Sequence, residues 1–191
     1  MTAESLHWFP GGPTLSFRLM PGLHGVCGGE QRGKSSLLRV LAGQHPALSG
    51  QLTWSASTTC WWMHTDDPAL DPVTAQDWLC AQQKRLPRWQ TALATDLAEA
   101  LGLQEHLHKP FYMLSAGSRR KVGLLGAAAS GADLILLDGP YAALDQRSCR
   151  VVDELLSEAA NSDCQAWVLA DYALPPGLAR ARWATVVDLG E

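Results

Sequence analysis

The chain has 191 residues, 47% of them hydrophobic, and a formal net charge of −4, which is the length of one domain, or one with a small subdomain, and enough to bury a core. Net acidity argues against a nucleic-acid-binding face, leaving Lys84-Arg85 with Arg88 as either a local basic patch or a solvated helix end. No apolar run reaches bilayer length and no basic-then-apolar leader opens the chain, which predicts a cytosolic protein; the five cysteines (Cys27, Cys60, Cys80, Cys149, Cys164) form no C-x-x-C pair, so neither a disulfide framework nor a zinc site is indicated.

In chain order, Leu15-Ser16-Phe17-Arg18-Leu19 alternates as a half-buried strand does, Pro21-Gly22 makes a turn, and Gly25-Val26-Cys27 leads into a glycine-rich stretch. That stretch, Gly28-Gly29-Glu30-Gln31-Arg32-Gly33-Lys34-Ser35, fits G-x-x-x-x-G-K-[ST] and is followed by a helix-like run from Ser36 to Ala42 that stops at Gly43. Small residues let consecutive backbone N–H groups converge on phosphate oxygens, and the helix N-terminus adds positive potential. Lys34 would reach the β- and γ-phosphates of a nucleotide and Ser35 would hold Mg²⁺. Cys27, just before the first loop glycine, is either a thiol that nucleotide would protect or simply core. Gly50 to Trp54 and Cys60-Trp61-Trp62-Met63 read as strands, the paired tryptophans being core or a contact surface. Thr74-Ala75-Gln76-Asp77 resembles a capping box opening a helix through Gln83, and Arg88 to Leu101 reads as a second helix stopped by Gly102.

A second constellation follows. Leu114-Ser115-Ala116-Gly117-Ser118 precedes Arg119-Arg120-Lys121 and places a serine and a glycine at a helix start, where a hydroxyl and a backbone N–H can bind an anion. Leu134 to Leu137 is the continuous apolar run of a parallel strand buried on both faces, and it delivers Asp138 to the carboxyl edge of a sheet. Ala143-Leu144-Asp145 comes next, then the buried strand Ala166 to Ala170, ending at Asp171, and the closing Val186 to Glu191.

The order and spacing of these motifs resemble those of the ATP-binding cassette (ABC) ATPases, and within them the compact cassettes such as the haem-exporter ATP-binding subunits of cytochrome c maturation, which share an L-S-A-G signature. The resemblance implies an α/β fold of the phosphate-loop NTPase type, with a mainly parallel core sheet, an antiparallel β part and a small helical subdomain. Residues 1–65 and 116–191 would form the core and β subdomain, residues 66–115 the helical subdomain, and Val186 to Glu191 a terminal hairpin strand. It further implies Mg·ATP bound by Gly28 to Ser36 and Asp138, with Ser35 and Asp138 ordering Mg²⁺ and Trp8 or Phe9 stacking on adenine. Leu114 to Ser118 would be the signature, which caps a γ-phosphate held by the opposite subunit of a dimer, and Ala143 to Asp145 the D-loop. The implied partners are a second cassette and a membrane permease at the inner face of the cell membrane, with no nucleic acid.

The sequence departs from the pattern at three places. Gly139 stands where a glutamate would polarise the attacking water, Asp171 where a switch histidine would sense the γ-phosphate, and Asp66 where a glutamine is usual. Losing a general base removes roughly 10²- to 10⁴-fold of rate, so the expectation is an ATP-binding subunit with a degenerate hydrolytic site. Two alternatives stay open: an active ATPase with Asp66 or Asp171 as substitute base, and a soluble ATP-gated regulatory or assembly protein. The lack of room for long coiled-coil or zinc insertions argues against a fourth reading, a chromosome or DNA-repair ATPase.

Overall fold

The structure is a computed structural model and describes residues 1–190. Two compact units are present: one comprises residues 1–62, 133–139 and 156–191, the other residues 63–132 and 140–155.

The first unit is built on a five-stranded parallel sheet. Its strands are β3 (Gly22–Cys27), β5 (Cys60–Trp62), β6 (Leu134–Asp138), β7 (Ala166–Asp171) and β8 (Trp183–Asp188), in the order β5-β6-β7-β3-β8. The inner strands are buried almost throughout, as near-continuous apolar runs require, whereas edge strand β8 alternates between half-buried and exposed positions. An antiparallel sheet of β1 (Thr2–His7), β2 (Leu15–Arg18) and β4 (Ser49–Thr53), with β1 in the middle, completes the β structure, and helix α1 (Lys34–Leu41) packs against β6 and β7. Leu37, Leu38, Val40 and Leu41 of α1 join Val26, Leu136, Val168 and Ala170 in one core. Trp61 is 4% exposed and Trp62 half-buried, so this pair is spent on packing β5.

One strand escaped the sequence reading, and two sequence expectations need correction. β1 has no alternating signature because its register shifts between Ala3 and Leu6 against β2 and between Glu4 and His7 against β4, around Ser5 with φ +47; the two inward residues are therefore three apart instead of two. The closing strand is not half of a hairpin: β8 lies parallel to β3, on the side of β3 away from β7. Trp8 is 4% exposed and donates its indole N–H to the Gly33 carbonyl at 2.9 Å, which removes it as an adenine-stacking face. Glu191 lies outside the described residues.

The second unit is helical. It contains α2 (Ala75–Arg85), α3 (Thr91–Ala100) and α4 (Ala116–Ala129); α5 (Gln146–Ala159) begins in it and ends in the first unit. Thr74 caps α2, its Oγ1 accepting the Asp77 N–H at 3.0 Å, as the capping-box reading anticipates. The helix runs two residues past Gln83 and stops at Leu86, the residue before Pro87. α3 starts at Thr91 instead of Arg88, because Trp89 closes a turn back to Leu86 and the Gln90 N–H is drawn to the Ala129 carbonyl at 2.8 Å. Among the described residues no helix is long and apolar enough to cross a membrane.

Candidate functional site

In the first unit, β3 runs into the glycine-rich loop and α1 leaves it. Gly28 (φ +152) and Gly33 (φ +83) hold backbone conformations that side chains rarely adopt, and a Cβ at Gly33 would drive into the Phe9 ring. Phe9 is half-buried, so its ring walls the loop beside the buried Trp8, with their centroids 5.9 Å apart. The loop's start is tied down by the Gly29 N–H, which donates to the Gly190 carbonyl at 2.9 Å.

The N-terminus of α1 is the open part. Its N-cap residue is Gly33, no side chain caps it, and no acidic residue lies in its first turn. The first N–H groups of a helix lack intrahelical acceptors and carry partial positive charge. Lys34 Nζ donates to the carbonyls of Gly28 and Gly29, at 2.6 Å each, which sets the ammonium over the same loop. Uncapped amides, an ammonium and the Ser35 hydroxyl make a donor set that fits a polyphosphate with its divalent cation.

Three strands end in aspartate at this edge of the sheet: Asp138 on β6, Asp171 on β7 and Asp188 on β8, with Asp171 and Asp188 on either side of Cys27 in register. Burial first, then the charges of Asp188 and Asp171, push the Cys27 thiol up, against an opposing effect of Lys34. At neutral pH it is therefore a protonated, half-buried and weakly nucleophilic thiol. Gly139 follows Asp138 with φ +51 and donates its N–H to the Ala170 carbonyl at 2.8 Å. The missing glutamate is thus accompanied by a left-handed backbone that a residue with a Cβ adopts only at a cost. The Asp171 carboxylate accepts the Tyr172 N–H at 2.7 Å, capping its own turn.

In the second unit, Ser115 caps α4: its Oγ accepts the Ser118 N–H at 3.1 Å and lies 3.0 Å from the Ser118 hydroxyl. Gly117 is required for a different reason from the loop glycines, since a Cβ there would strike the Ala143 carbonyl oxygen. Among the described residues Ala143 is one of three non-glycine residues with positive φ, at +61. Asp145 accepts from the Ser148 N–H at 2.8 Å at the start of α5 and from Lys121 Nζ at 2.7 Å; the Lys121 bond first, then the Ser148 bonds, hold its carboxyl well below the usual range. Asp66 faces Arg120 at 3.8 Å, and Asp67 caps the short 3₁₀ turn Pro68–Leu70 by accepting the Ala69 N–H.

The structure therefore places Gly28 to Ser36, Asp138, Gly139 and Asp171 in one unit, and Asp66, Leu114 to Ser118 and Ala143 to Asp145 in the other. Sequence reasoning missed the partners of the basic triplet after the signature, Asp71 among them, because those contacts link residues 24 to 54 positions apart.

Comparison with known proteins agrees with this geometry. The profile of the ABC transporter family matches residues 14–142. The cytochrome c biogenesis ATP-binding export protein CcmA of Pseudomonas aeruginosa is 31% identical over 162 residues, covering 74% of this chain and 76% of that protein. The protein of the same name from Cupriavidus pinatubonensis is 33% identical over 165 residues, covering 80% and 72%. Among solved structures, an ATP-binding subunit of an ABC transporter superposes with a TM-score of 0.81 over 98% of this chain and 85% of that one, at 16% identity, a likeness of fold alone.

Proposed function

The chain belongs to the ABC transporter family of ATP-binding cassettes, and from that premise we propose that it is the ATP-binding subunit of a membrane transporter complex whose own hydrolytic site is degenerate. Its similarity to proteins named as ATP-binding export proteins of cytochrome c biogenesis supports an export cassette of that kind. The cassette is a single domain with residues 66–115 as its helical subdomain. It works at the inner face of the membrane through a permease partner and dimerises with a second cassette. Gly28 to Ser36 with Asp138 would hold Mg·ATP, with Ser35 and Asp138 serving the metal, which would supply neutralisation of phosphate charge.

One observation carries this reading: the open start of α1 with Lys34 above it suits a phosphate, while no carboxylate follows Asp138 to activate water. The helix N-terminus of α1 is open and Lys34 stands over it, whereas Gly139 offers no carboxylate and holds a left-handed backbone. The substitute-base alternative loses support from the same geometry. Asp171 is engaged by its own turn and Asp66 faces a guanidinium. The Ser115 hydroxyl accepts from Ser118 N–H and, having one proton to give, can still donate to an anion. Ser115 and Gly117 are thus suited to cap a γ-phosphate on an intact partner cassette, while this chain's own loop holds ATP and supports closure.

Calorimetry on the purified chain tests the binding half. Lys34→Ala should weaken Mg·ATP binding by about 10²-fold or more, since two charge-assisted bonds of about 1.5–3 kcal/mol each are lost; equal affinity in both proteins overturns the loop assignment. The native complex tests the division of labour. Ser115→Arg should collapse its ATPase while Lys34→Ala is milder, and the reverse ranking places catalysis on this chain.

A further inference from the structure

The basic triplet that follows the signature is absorbed by none of the roles above. Arg119, Arg120 and Lys121 are 17%, 18% and 16% exposed at their side chains, so their charges are largely withdrawn from water, and each faces an aspartate from another segment. Arg119 Nη2 meets Asp71 Oδ1 at 2.6 Å, Lys121 Nζ meets Asp145 Oδ2 at 2.7 Å, and Arg120 Nη2 meets Asp66 Oδ2 at the looser distance of 3.8 Å. Consecutive helical residues are about 100° apart around the axis, so three in a row fan across more than half of its circumference. The pairs therefore brace α4 from different sides.

Two further contacts stiffen the brace. The Arg119 guanidinium carbon lies 5.9 Å from the centroid of the fully buried Phe111 ring, which packs edge-on against Trp78 of α2. The segment bearing Asp71 is bonded to the one leading into the signature: the Phe111 N–H donates to the Val73 carbonyl at 2.9 Å and the Tyr112 N–H to the Asp71 carbonyl at 3.1 Å. At the other end, Gly117 lets the Ala143 carbonyl seat against the first turn of α4, and Lys121 one turn later holds Asp145.

We infer that Arg119, Arg120 and Lys121 are positioning residues that lock residues 66–73, the signature at 114–118 and the D-loop at 143–145 into one body formed before nucleotide arrives, with Asp66 as an anchor of that body. This rests on the proposed role of the signature. It adds that Asp66, at the position where a glutamine is usual in the family, is a fixed anchor and does not respond to nucleotide. The chain presents its signature in a fixed form whatever its own phosphate loop holds.

Hydrogen exchange of the full-length chain, with and without Mg·ATP, tests this. In the wild type, Mg·ATP should slow exchange in residues 28–36 and leave residues 66–73 and 143–149 unchanged. Arg119→Ala and, from the other side of the pair, Asp71→Asn should each raise exchange in residues 66–73 and 111–118 by about 3- to 10-fold, the range expected for losing one partly buried ion pair with a cation–π contact. Lys121→Met should raise it in residues 143–149 alone, and Lys121→Arg, which keeps the charge and the reach, should restore the wild-type pattern. The interior of α4 at residues 122–129 should not change in any variant. A rise spread evenly over the chain, or no rise in the partner segment, overturns the brace. Slowing of residues 66–73 by Mg·ATP to the same degree as residues 28–36 overturns the assignment of Asp66. If Mg·ATP fails to slow residues 28–36, the ATP-binding reading falls, while the variants still decide whether the brace exists.

Discussion

Helices α1 and α4 both start at a short, glycine-bearing segment, and the two starts are built in opposite ways. α1 begins at a left-handed glycine with no capping side chain and no acid in its first turn, so its leading amides lack a protein acceptor from any cap. α4 begins at Ser115, which satisfies the Ser118 N–H itself, and its next residues are held by aspartates of distant segments. An uncapped helix start is stabilised by an anion that comes to it; a capped and braced one stands without a ligand. The difference fits the proposed division, in which the first unit would take phosphate and the second would present a preformed surface to another cassette.

The comparison breaks most visibly if the first unit turns out to hydrolyse. Without a carboxylate at position 139, turnover of the isolated chain should lie about 10²- to 10⁴-fold below that of an otherwise equivalent site with its base. Gly139→Glu should recover little of it, since the left-handed backbone at φ +51 costs a Cβ-bearing residue about 1–2 kcal/mol; the glutamate is strained and does not sit where an unstrained one would. Steady-state phosphate release measures both proteins. Wild-type turnover of about 1 to 10³ s⁻¹, the span of ordinary enzymes, would show that a base exists and that the two helix starts do not mark a division of labour.

The second unit can be probed at Gly117. Adding a Cβ there forces the Ala143 carbonyl away from α4, and overpacking of this kind costs about 1–3 kcal/mol. Gly117→Ala should then lower the melting temperature by about 3 to 10 °C at this chain length. Gly123→Ala on the same helix is the control. Its Cβ would meet Met63 Cγ at 2.8 Å and the Thr65 methyl at 3.0 Å, side-chain atoms that can give more readily than the backbone carbonyl facing Gly117, so its cost should be smaller. Equal melting temperatures for wild type and Gly117→Ala would mean that the D-loop does not seat on the signature helix.

Much of this was legible in the sequence wherever the signal is local. The glycine-rich loop between β3 and α1, the buried run of β6, and the caps Thr74 and Ser115 each write their structure into a few adjacent residues, and all four lie where the pattern predicts. β1 was not legible because its bulge at Ser5 breaks the alternation on which strand reading depends. Trp8 was mistaken for a stacking surface because burial is a tertiary fact: only the fold brings its indole to the Gly33 carbonyl. The conformation of Gly139 is equally hidden, since a glycine after an aspartate does not declare its φ. The triplet Arg119-Arg120-Lys121 was visible as charge, yet nothing local selects Asp71, Asp66 and Asp145 as its partners.

The smallest effect expected is the pH dependence carried by Asp145, and its sign follows from the direction of the shift. Its bond to Lys121, then those to Ser148, hold the folded carboxyl well below the ordinary value of 3.8. A carboxyl depressed in the folded state contributes stability that is complete above its unfolded value; as acid is added, the unfolded chain takes up the proton first, and the contribution is lost as pH falls from about 5 toward the folded value. The Asp145 side chain is 57% exposed, so solvent screening keeps the contribution to a few tenths of a kcal/mol, about 1 kcal/mol at most. Asp145→Asn isolates the charge, because asparagine retains an acceptor for the Ser148 N–H and caps a helix about as well as aspartate does. Urea unfolding should show the variant less stable than wild type at pH 7, with the gap narrowing by pH 3 and narrowing again at pH 7 in 1 M salt. A gap that is the same at both pH values would mean that the Lys121 pair contributes nothing, and that the seating of Gly117 against Ala143 alone ties the D-loop to α4.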